Sequence, residues 1–296
     1  MTINNQQLND HQLKDVEQLA AQCQASDNGL PTIYYHLLRQ KRDNDSNVLY
    51  YENNQLLGFL SVYFFYTDAC EVSLIIHPEH RRHGIASKLL ANIIPLLHAK
   101  KISRLIFSST SVSPESQPKG IMADGFVYEQ SEFHMVRNSF EPVIIGSPVL
   151  SIREAEATDL ENLCTIDAAC FPNQQTSMHE RFNYLLDDRN YTILIAFHKD
   201  KAVGKAHLRW QAGCCLFSDI AILPKFQGKG LGSELLAFCI NHSLSAGESK
   251  IILDVETNHL NALNLYLRQG FKTTTLYNFW SISLAKLEKS LQSYSI

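Results

Sequence analysis

The sequence predicts two α/β domains in tandem, and three observations carry that prediction. The chain has 296 residues, about twice a common domain size. Its segment 77–90, HPEHRRHGIASKLL, overlays segment 223–236, LPKFQGKGLGSELL, at a constant offset of 146. Each half also alternates short apolar strands with amphipathic helices in the order strand–turn–helix–strand–helix–strand, after an opening hairpin, which is the order of a mixed α/β sheet.

The repeat runs through most of each half. Pro78 meets Pro224, Gly84 meets Gly230, Ser87 meets Ser233, and Leu89–Leu90 meet Leu235–Leu236. The same offset carries Gly58 onto Gly204, and with a one-residue slip Gly125–Phe126 meets Gly270–Phe271. A register held that long implies two copies of one fold. The boundary falls in NSFEPVIIGSP, Asn138 to Pro148, where Pro and Gly break both periods, and gives domains at 1–142 and 149–296.

In the first copy the helix at His11–Cys23 is visible, with no convincing strand before it. Strands LLGFLSVYFFY and CEVSLIIH follow, then a helix from Gly84 to His98, then strands SRLIFSS and FHMVR. The second copy opens with SIREAEATDLENL, a short strand and then a helix with Thr158 as N-cap and Glu161 completing a capping box. YTILIAF and KAVGKAHLRW form a hairpin, CLFSDIAIL is a buried strand, and LGSELLAFCINHSL is a helix. KIILDVE, the shorter helix NALNLYLRQ and a strand after Gly270–Phe271 complete it.

Composition excludes several functions. With 26 basic and 30 acidic residues, the net charge of −4 lacks the basic excess of a nucleic-acid partner. A 45% hydrophobic content is too high for a disordered chain. The seven cysteines are odd in number and form no CxxC pair, which suits a reducing compartment and indicates no metal site. The start, MTINNQQLNDHQLKD, has no apolar h-region, and apolar runs such as IIPLL are short and interrupted by Pro95. The expectation is a cytoplasmic protein with no membrane partner.

Between Ile222 and Ser233, ILPKFQGKGLGS places glycines at 228, 230 and 232 where a buried strand ends and a helix begins. Glycine lets the backbone turn tightly and approach a ligand, and the first helical N–H groups point outward at any anion. A phosphate cradle and a ligand-free helix start both fit the turn taken alone. No GKS or GKT follows, so it is not a P-loop, and the glycine spacing does not fit a dinucleotide fingerprint.

Gln227-Gly-Lys-Gly230-Leu-Gly232 resembles the Q/R-x-x-G-x-G/A motif of the GNAT superfamily of acyl-CoA N-acyltransferases. IAILP resembles that family's fourth strand, and DVETNHLNALNLYLRQGF its fifth strand and following helix. Arg81-Arg-His-Gly84-Ile-Ala86 satisfies the motif in the first copy. The resemblance implies two GNAT-like domains, each a mostly antiparallel twisted sheet flanked by helices, and acetyl-CoA as cosubstrate. It implies cofactor contacts at Ile222, Leu223, Gln227, Gly228, Lys229, Gly230, Leu231, Gly232 and Ser233, with Asn258 and Asn261 bonding to pantetheine or capping a helix. In the first copy the matching positions are Ile76, His77, Arg81, Arg82, His83, Gly84, Ile85, Ala86 and Ser87. Arg81, Arg82 and His83 reach phosphate there or form a solvated turn. The tandem is similar to mycothiol-synthase-like and VipF-type acetyltransferases, the second of which implies delivery into a host cell.

Acetyl transfer to an amine needs a base, an oxyanion site and an acid for the departing thiolate. A lysine amine sits about three units above neutral pH, so neutralising it costs about 4–5 kcal/mol without help. Tyr266, four residues before Gly270, matches the family's tyrosine acid; otherwise it is a helical tyrosine with its ring in the core. Asp254 is the leading base, twelve residues before Tyr266, with Asp219 and Glu256 as rivals, and each of the three is also an ordinary strand-end carboxylate. A backbone N–H around Ile222–Leu223 would hold the oxyanion. Phe171-Pro172, Phe182, Tyr184 and Trp210 line an acceptor channel or fill the core. His242 and His259 are surface residues on this reading, not metal ligands.

The first copy has Ile121 where the tyrosine would stand, and Pro114 and Pro118 oppose a helix there. That copy is expected to be catalytically degenerate, holding CoA or acting as a scaffold. The function expected is N-acetyl transfer to a protein lysine, an N-terminus or a small amine. The alternative is a non-catalytic acyl-CoA-binding module that recognises a protein partner. A covalent tandem already supplies a pseudo-pair, so a monomer is expected.

Overall fold

The computed structural model describes residues 1–27, 29–111, 125–171 and 178–293. In chain order the elements of the first repeat are β1 (Thr2–Asn5), α1 (Asp10–Asp27), α2 (Tyr35–Leu38), β2 (Asn47–Glu52), β3 (Gln55–Tyr63), β4 (Ala69–Ile76), α3 (Ile85–Ala99), β5 (Arg104–Ser111) and β6 (Val127–Asn138). The second repeat follows with β7 (Ser151–Glu154), α4 (Leu160–Cys170), α5 (Met178–Asp187), β8 (Tyr191–His198), β9 (Lys201–Gln211), β10 (Cys214–Ile222), α6 (Leu231–Ser245), β11 (Lys250–Glu256), α7 (Leu260–Arg268), β12 (Lys272–Ser283) and α8 (Leu284–Ser293).

The hairpins show how closely the copies match. Asn53–Asn54 joins β2 to β3 with φ of 49° and 63°, and Lys199–Asp200 joins β8 to β9 with 49° and 62°. Two successive left-handed residues make the turn that suits the twist of paired strands. Pairing then runs β1-β2-β3-β4-β5 in one unit and β7-β8-β9-β10-β11 in the other. The β4–β5 and β10–β11 pairs are parallel and the others in these runs antiparallel, so the fold is mixed α/β.

The compact units do not follow the repeat boundary. Unit 1 comprises 1–131 with 276–296, and unit 2 comprises 132–275. In unit 1, β5 pairs antiparallel with β12, from the end of the chain; in unit 2, β11 pairs antiparallel with β6, from the first repeat. The two strands have twelve residues each and lie 145 apart in sequence, so either copy presents the same pattern to the edge it completes. Division at 142/149 follows the sequence register, whereas the packed units exchange their final strands.

Two local expectations need correction. A strand does precede α1: β1 pairs with β2 from Thr2↔Tyr50 to Asn5↔Asn47, a short polar edge strand without an apolar signal. The capping box before α4 is formed by Glu156 and Asp159 around a short 3₁₀ turn, and not by Thr158 and Glu161. Arg153 holds Asp159 there at 2.6 Å and keeps its carboxyl below the usual range.

Alternation along the strands sets an apolar core on each face of the sheet in both units. In unit 2, Ala206, Leu208, Phe217 and Leu253 pack with Leu235 and Leu236 of α6, while Ile193 and Ile195 pack with Leu163 and Phe182 of α4 and α5. Unit 1 repeats this with α3 on one face and α1 on the other. Gly58 and Gly204 both stand where a strand runs close to its neighbours. A Cβ on Gly204 would lie 2.5 Å from Ile222 Cδ1 and 2.8 Å from the Ala221 carbonyl oxygen, and backbone cannot step aside. Gly204→Ala should therefore cost about 1–3 kcal/mol of stability. Urea unfolding with an unchanged midpoint would contradict that.

Candidate functional site

The site in unit 2 begins where β10 and β11 part. Their parallel pairing covers only Cys215↔Ile251 and Leu216↔Ile252, so the stretch from Phe217 to Ile222 has no β11 partner. A bulge between Ser218 and Ala221 interrupts the pairing of β10 with β9, and Asp219 within it has φ of 48°. Bulges re-aim the backbone groups that follow them. Leu223 N–H donates to Val203 O at 2.8 Å, so it is committed to β9 and is unavailable for an oxyanion. Strand alternation turns the Ile222 N–H the other way, toward the opening. Of the two oxyanion donors expected from the sequence, only Ile222 remains.

The turn after β10 is built by left-handed glycines. Gly228 has φ of 73° and Gly230, the N-cap of α6, has 81°. Nothing lies within 4 Å of where a Cβ would stand on either. The backbone N–H groups of residues 228–232 find no acceptor among the described residues. Backbone donors without an internal partner at a helix N-terminus, with open space beside them, are what binding an anion there would require. Gln227 Nε2 donates to Ile222 O at 2.8 Å and braces the turn, while Gln269 Nε2 donates to Ser233 Oγ at 2.9 Å and ties α7 to α6. Lys229 Nζ folds back onto Lys225 O at 3.2 Å.

A model of the "Acetyltransferase (GNAT) family" matches residues 13–118 and again 157–271. The chain belongs to the GNAT acetyltransferase family. Among curated relatives, mycothiol acetyltransferase of Stackebrandtia nassauensis is 24% identical over 249 residues, covering 76% of this chain and 78% of that one. Among solved structures, a GCN5-related N-acetyltransferase from Sphaerobacter thermophilus superposes with a TM-score of 0.75 at 14% identity over 96% of both chains. A tandem GNAT protein from the clavulanic acid biosynthesis pathway gives 0.69 at 13% identity, over 96% of this chain and 98% of that one. At these identities the structural likeness speaks for the fold alone.

Within the GNAT fold of unit 2, Tyr266 lies on α7 against the α6 core, its ring edge-on to Phe271 with centroids 5.9 Å apart. Its hydroxyl makes no hydrogen bond to any described residue. Burial, with Cys239 nearby, pushes its pKa up to about 12. Leu253 and Val255 point into that same core, so Asp254 and Glu256 stand on the opposite face of the sheet. Asp254 Oδ1 lies 2.7 Å from Nδ1 of His134, its partner across the β11–β6 register. Glu256 lies 3.8 Å from His259.

Asp219 is on that opposite face too, beside His207 at 3.1 Å and Arg181 at 3.5 Å. Its site buries it, but His207, Lys205 and Arg181 more than offset that and hold its carboxyl far below the usual range. Lys205 Nζ lies over the rings of Phe171 and Phe182; Phe182 is fully buried in the core and lines no channel, Phe171 is half-buried, and Tyr184 is exposed. Trp210 packs against the α6 core, and Pro172 lies outside the described residues. Asn258 and Asn261 are exposed; α7 starts after His259 without a side-chain cap, so neither caps it.

His134, Lys205, His207 and Asp167 were missed by sequence reasoning. His134 comes from the exchanged strand and has no neighbour in sequence to mark it. The alternation of Lys205 and His207 with Ala206 and Leu208 was the one available signal. Among the described residues no group of three or more His, Cys, Asp or Glu gathers to hold a metal, and no helix is long and apolar enough to cross a membrane.

In unit 1 the same scaffold is differently wired. His77 N–H donates to Leu57 O, as Leu223 does to Val203. Gly84 is left-handed at 76°, and Arg82, at the position of Gly228, adopts 65° despite its side chain. Arg81 Nε donates to Ile76 O at 3.2 Å, as Gln227 does to Ile222, and its terminal nitrogens grip Asp27 at 2.7 and 2.6 Å. Arg81 is thus a brace and not a free phosphate ligand. Ile121, Pro114 and Pro118 lie outside the described residues.

Proposed function

We propose that unit 2 transfers an acetyl group from acetyl-CoA to a primary amine by direct attack, and that unit 1 serves as scaffold or CoA holder. The observation that carries this is the stretch of β10 without a β11 partner, with N–H groups at 228–232 and a Tyr266 hydroxyl in the same unit that have no hydrogen-bond partner among the described residues. The turn from Gly228 to Ser233 holds the diphosphate, and the exposed edge of β10 takes the pantetheine as an added strand. The amine nitrogen bonds to the acetyl carbon, the carbonyl oxygen gains charge against the Ile222 N–H, and the carbon–sulfur bond breaks. Tyr266 gives its proton to the leaving sulfur, and the amine gives one up to the Asp254–His134 pair, the carboxylate orienting the ring. Glu256 remains a rival for that proton. Asp219 is unsuited, because a base that strongly prefers its charged form accepts no proton near neutrality.

The acceptor class is a protein lysine, an N-terminus or a small amine, the chain working as a cytoplasmic monomer. The test is thiol release from acetyl-CoA across a panel of amines and lysine peptides, with calorimetry for acetyl-CoA binding. Amine-dependent release with micromolar to submillimolar KM is expected. Acetyl-CoA uptake with no release for any amine would favour a non-catalytic acyl-CoA-binding module.

A further inference from the structure

Unit 2 buries a row of charged side chains. Lys205 and Asp167 have side-chain exposures of 0% and 1%, and Nζ lies 2.7 Å from Oδ1. Lys205 Nζ is also 3.3 Å from His207 Nε2, and His207 Nδ1 is 3.1 Å from Asp219 Oδ2. An ammonium only donates, so Nε2 must accept and the ring proton sits on Nδ1, facing Asp219. Burial, then Lys205, lower the His207 pKa and keep the ring neutral. Ser218 Oγ donates to the same Asp219 oxygen at 3.2 Å, and Arg181 approaches it at 3.5 Å. His207, Ser218 and Arg181 thus converge on one carboxylate oxygen, on a left-handed residue inside a bulge.

The first repeat is an internal control. There Ser61↔Ser73 and Phe59↔Ile75 set three residues of β4 against three of β3. In unit 2, His207↔Ser218 and Lys205↔Ala221 set four residues of β10 against three of β9, so the bulge is an inserted residue. Where unit 2 has Lys205 and His207, unit 1 has Phe59 and Ser61. Ala20 stands three residues before Cys23, as Asp167 stands three before Cys170. The fold packs at these positions without charge, and burying charge is costly unless it does something else. What accompanies the charges is the bulge and an earlier parting of the parallel pair: β4 stays with β5 through Val72, four residues in all, against two for β10 with β11.

We infer that Asp167, Lys205 and His207 are positioning residues that hold the Asp219 bulge, and through it set the Ile222 N–H and the opening between β10 and β11. This rests on the transferase reading of that opening. Asp219 acts through its backbone conformation and as a hydrogen-bond acceptor, not as a charge.

Four variants of the full chain test it: Asp219→Asn, Asp219→Ala, His207→Asn and His207→Ala. Asparagine at 219 tolerates the left-handed conformation and keeps an acceptor oxygen for Ser218 Oγ and beside His207 Nδ1, whereas alanine does neither. Asparagine at 207 returns a donor near the place of Nδ1. The readouts are the acetyl-CoA Kd by calorimetry, kcat and KM for thiol release with n-pentylamine, and the melting temperature, which separates a lost fold from a lost bulge. The alanine variants should weaken acetyl-CoA binding and lower kcat by about tenfold or more each, with the pentylamine KM unmoved, and the asparagine variants should recover to within about threefold. Nitrogen NMR of the wild type should find His207 protonated on Nδ1. Asp219→Asn as damaged as Asp219→Ala, alanine variants equal to wild type, or His207 protonated on Nε2 would each overturn the inference. A wild-type chain that takes up no acetyl-CoA overturns the transferase reading instead, and the His207 tautomer then decides the relay by itself.

Discussion

Replacing Gly230 with valine should lower acetyl-CoA affinity at unit 2 by about a hundredfold while leaving the chain folded. Gly230 adopts φ of 81° as the N-cap of α6. An L-residue there carries about 1–2 kcal/mol of strain, and a β-branched one more. The chain can relieve that strain only by rotating the peptide, which turns the adjoining N–H groups away from the diphosphate. Nothing within 4 Å would clash with the new Cβ, so packing does not suffer and the loss appears in binding. The side chain would also project into the space before the cradle. Together these amount to roughly 3 kcal/mol, or a factor of about a hundred. Calorimetry beside thermal unfolding measures both quantities, and Gly84→Val is the control, since it strains unit 1 in the same way and should spare unit 2. Wild-type acetyl-CoA affinity in Gly230→Val would show that the diphosphate sits elsewhere.

The elements that position this turn were legible because each leaves a local mark. Glycine at 84 and 230 marks a left-handed N-cap, and a period of two or of 3.6 marks the flanking strand and helix. The repeat register then supplied the tandem fold. Strand exchange was not legible: β6 and β12 are copies of one pattern, and pattern alone cannot say which edge each will complete. The Asp254–His134 contact was hidden with it, because it depends on that choice. Nor did sequence show that Leu223 N–H would be taken by Val203, which follows from the pairing register of β9 and β10. The buried relay was missed for another reason. Lys205 and His207 read as ordinary polar positions until burial is known and Asp219 only as a rival base, and only the comparison with Phe59, Ser61 and the unbulged β4 shows the three together as a departure from the fold's default packing.

Tyr266→Phe should lower kcat by about a hundredfold to a thousandfold and leave the acetyl-CoA Kd within about a factor of two. The substitution removes one oxygen. The ring keeps its edge-on contact with Phe271 and its place in the α6 core. Because the hydroxyl has no partner among the described residues, its loss leaves no buried group unpaired, and the melting temperature should barely move. A pKa pushed up to about 12 means that Tyr266 stays protonated, and so competent as an acid, through every ordinary assay pH. It also means a weak acid, which gives up its proton only as the carbon–sulfur bond breaks and negative charge gathers on sulfur. A kcat profile with no alkaline fall attributable to Tyr266 below about pH 11 is therefore expected. Stability carries the complementary sign. The unfolded phenol ionises near 10 and the folded one near 12, so the unfolded chain binds fewer protons between those values and stability falls as pH rises through them. Phenylalanine cannot ionise, so the variant should lose less stability than wild type over that window. Undiminished kcat in Tyr266→Phe would remove the tyrosine from the reaction and leave the thiolate to take its proton from water.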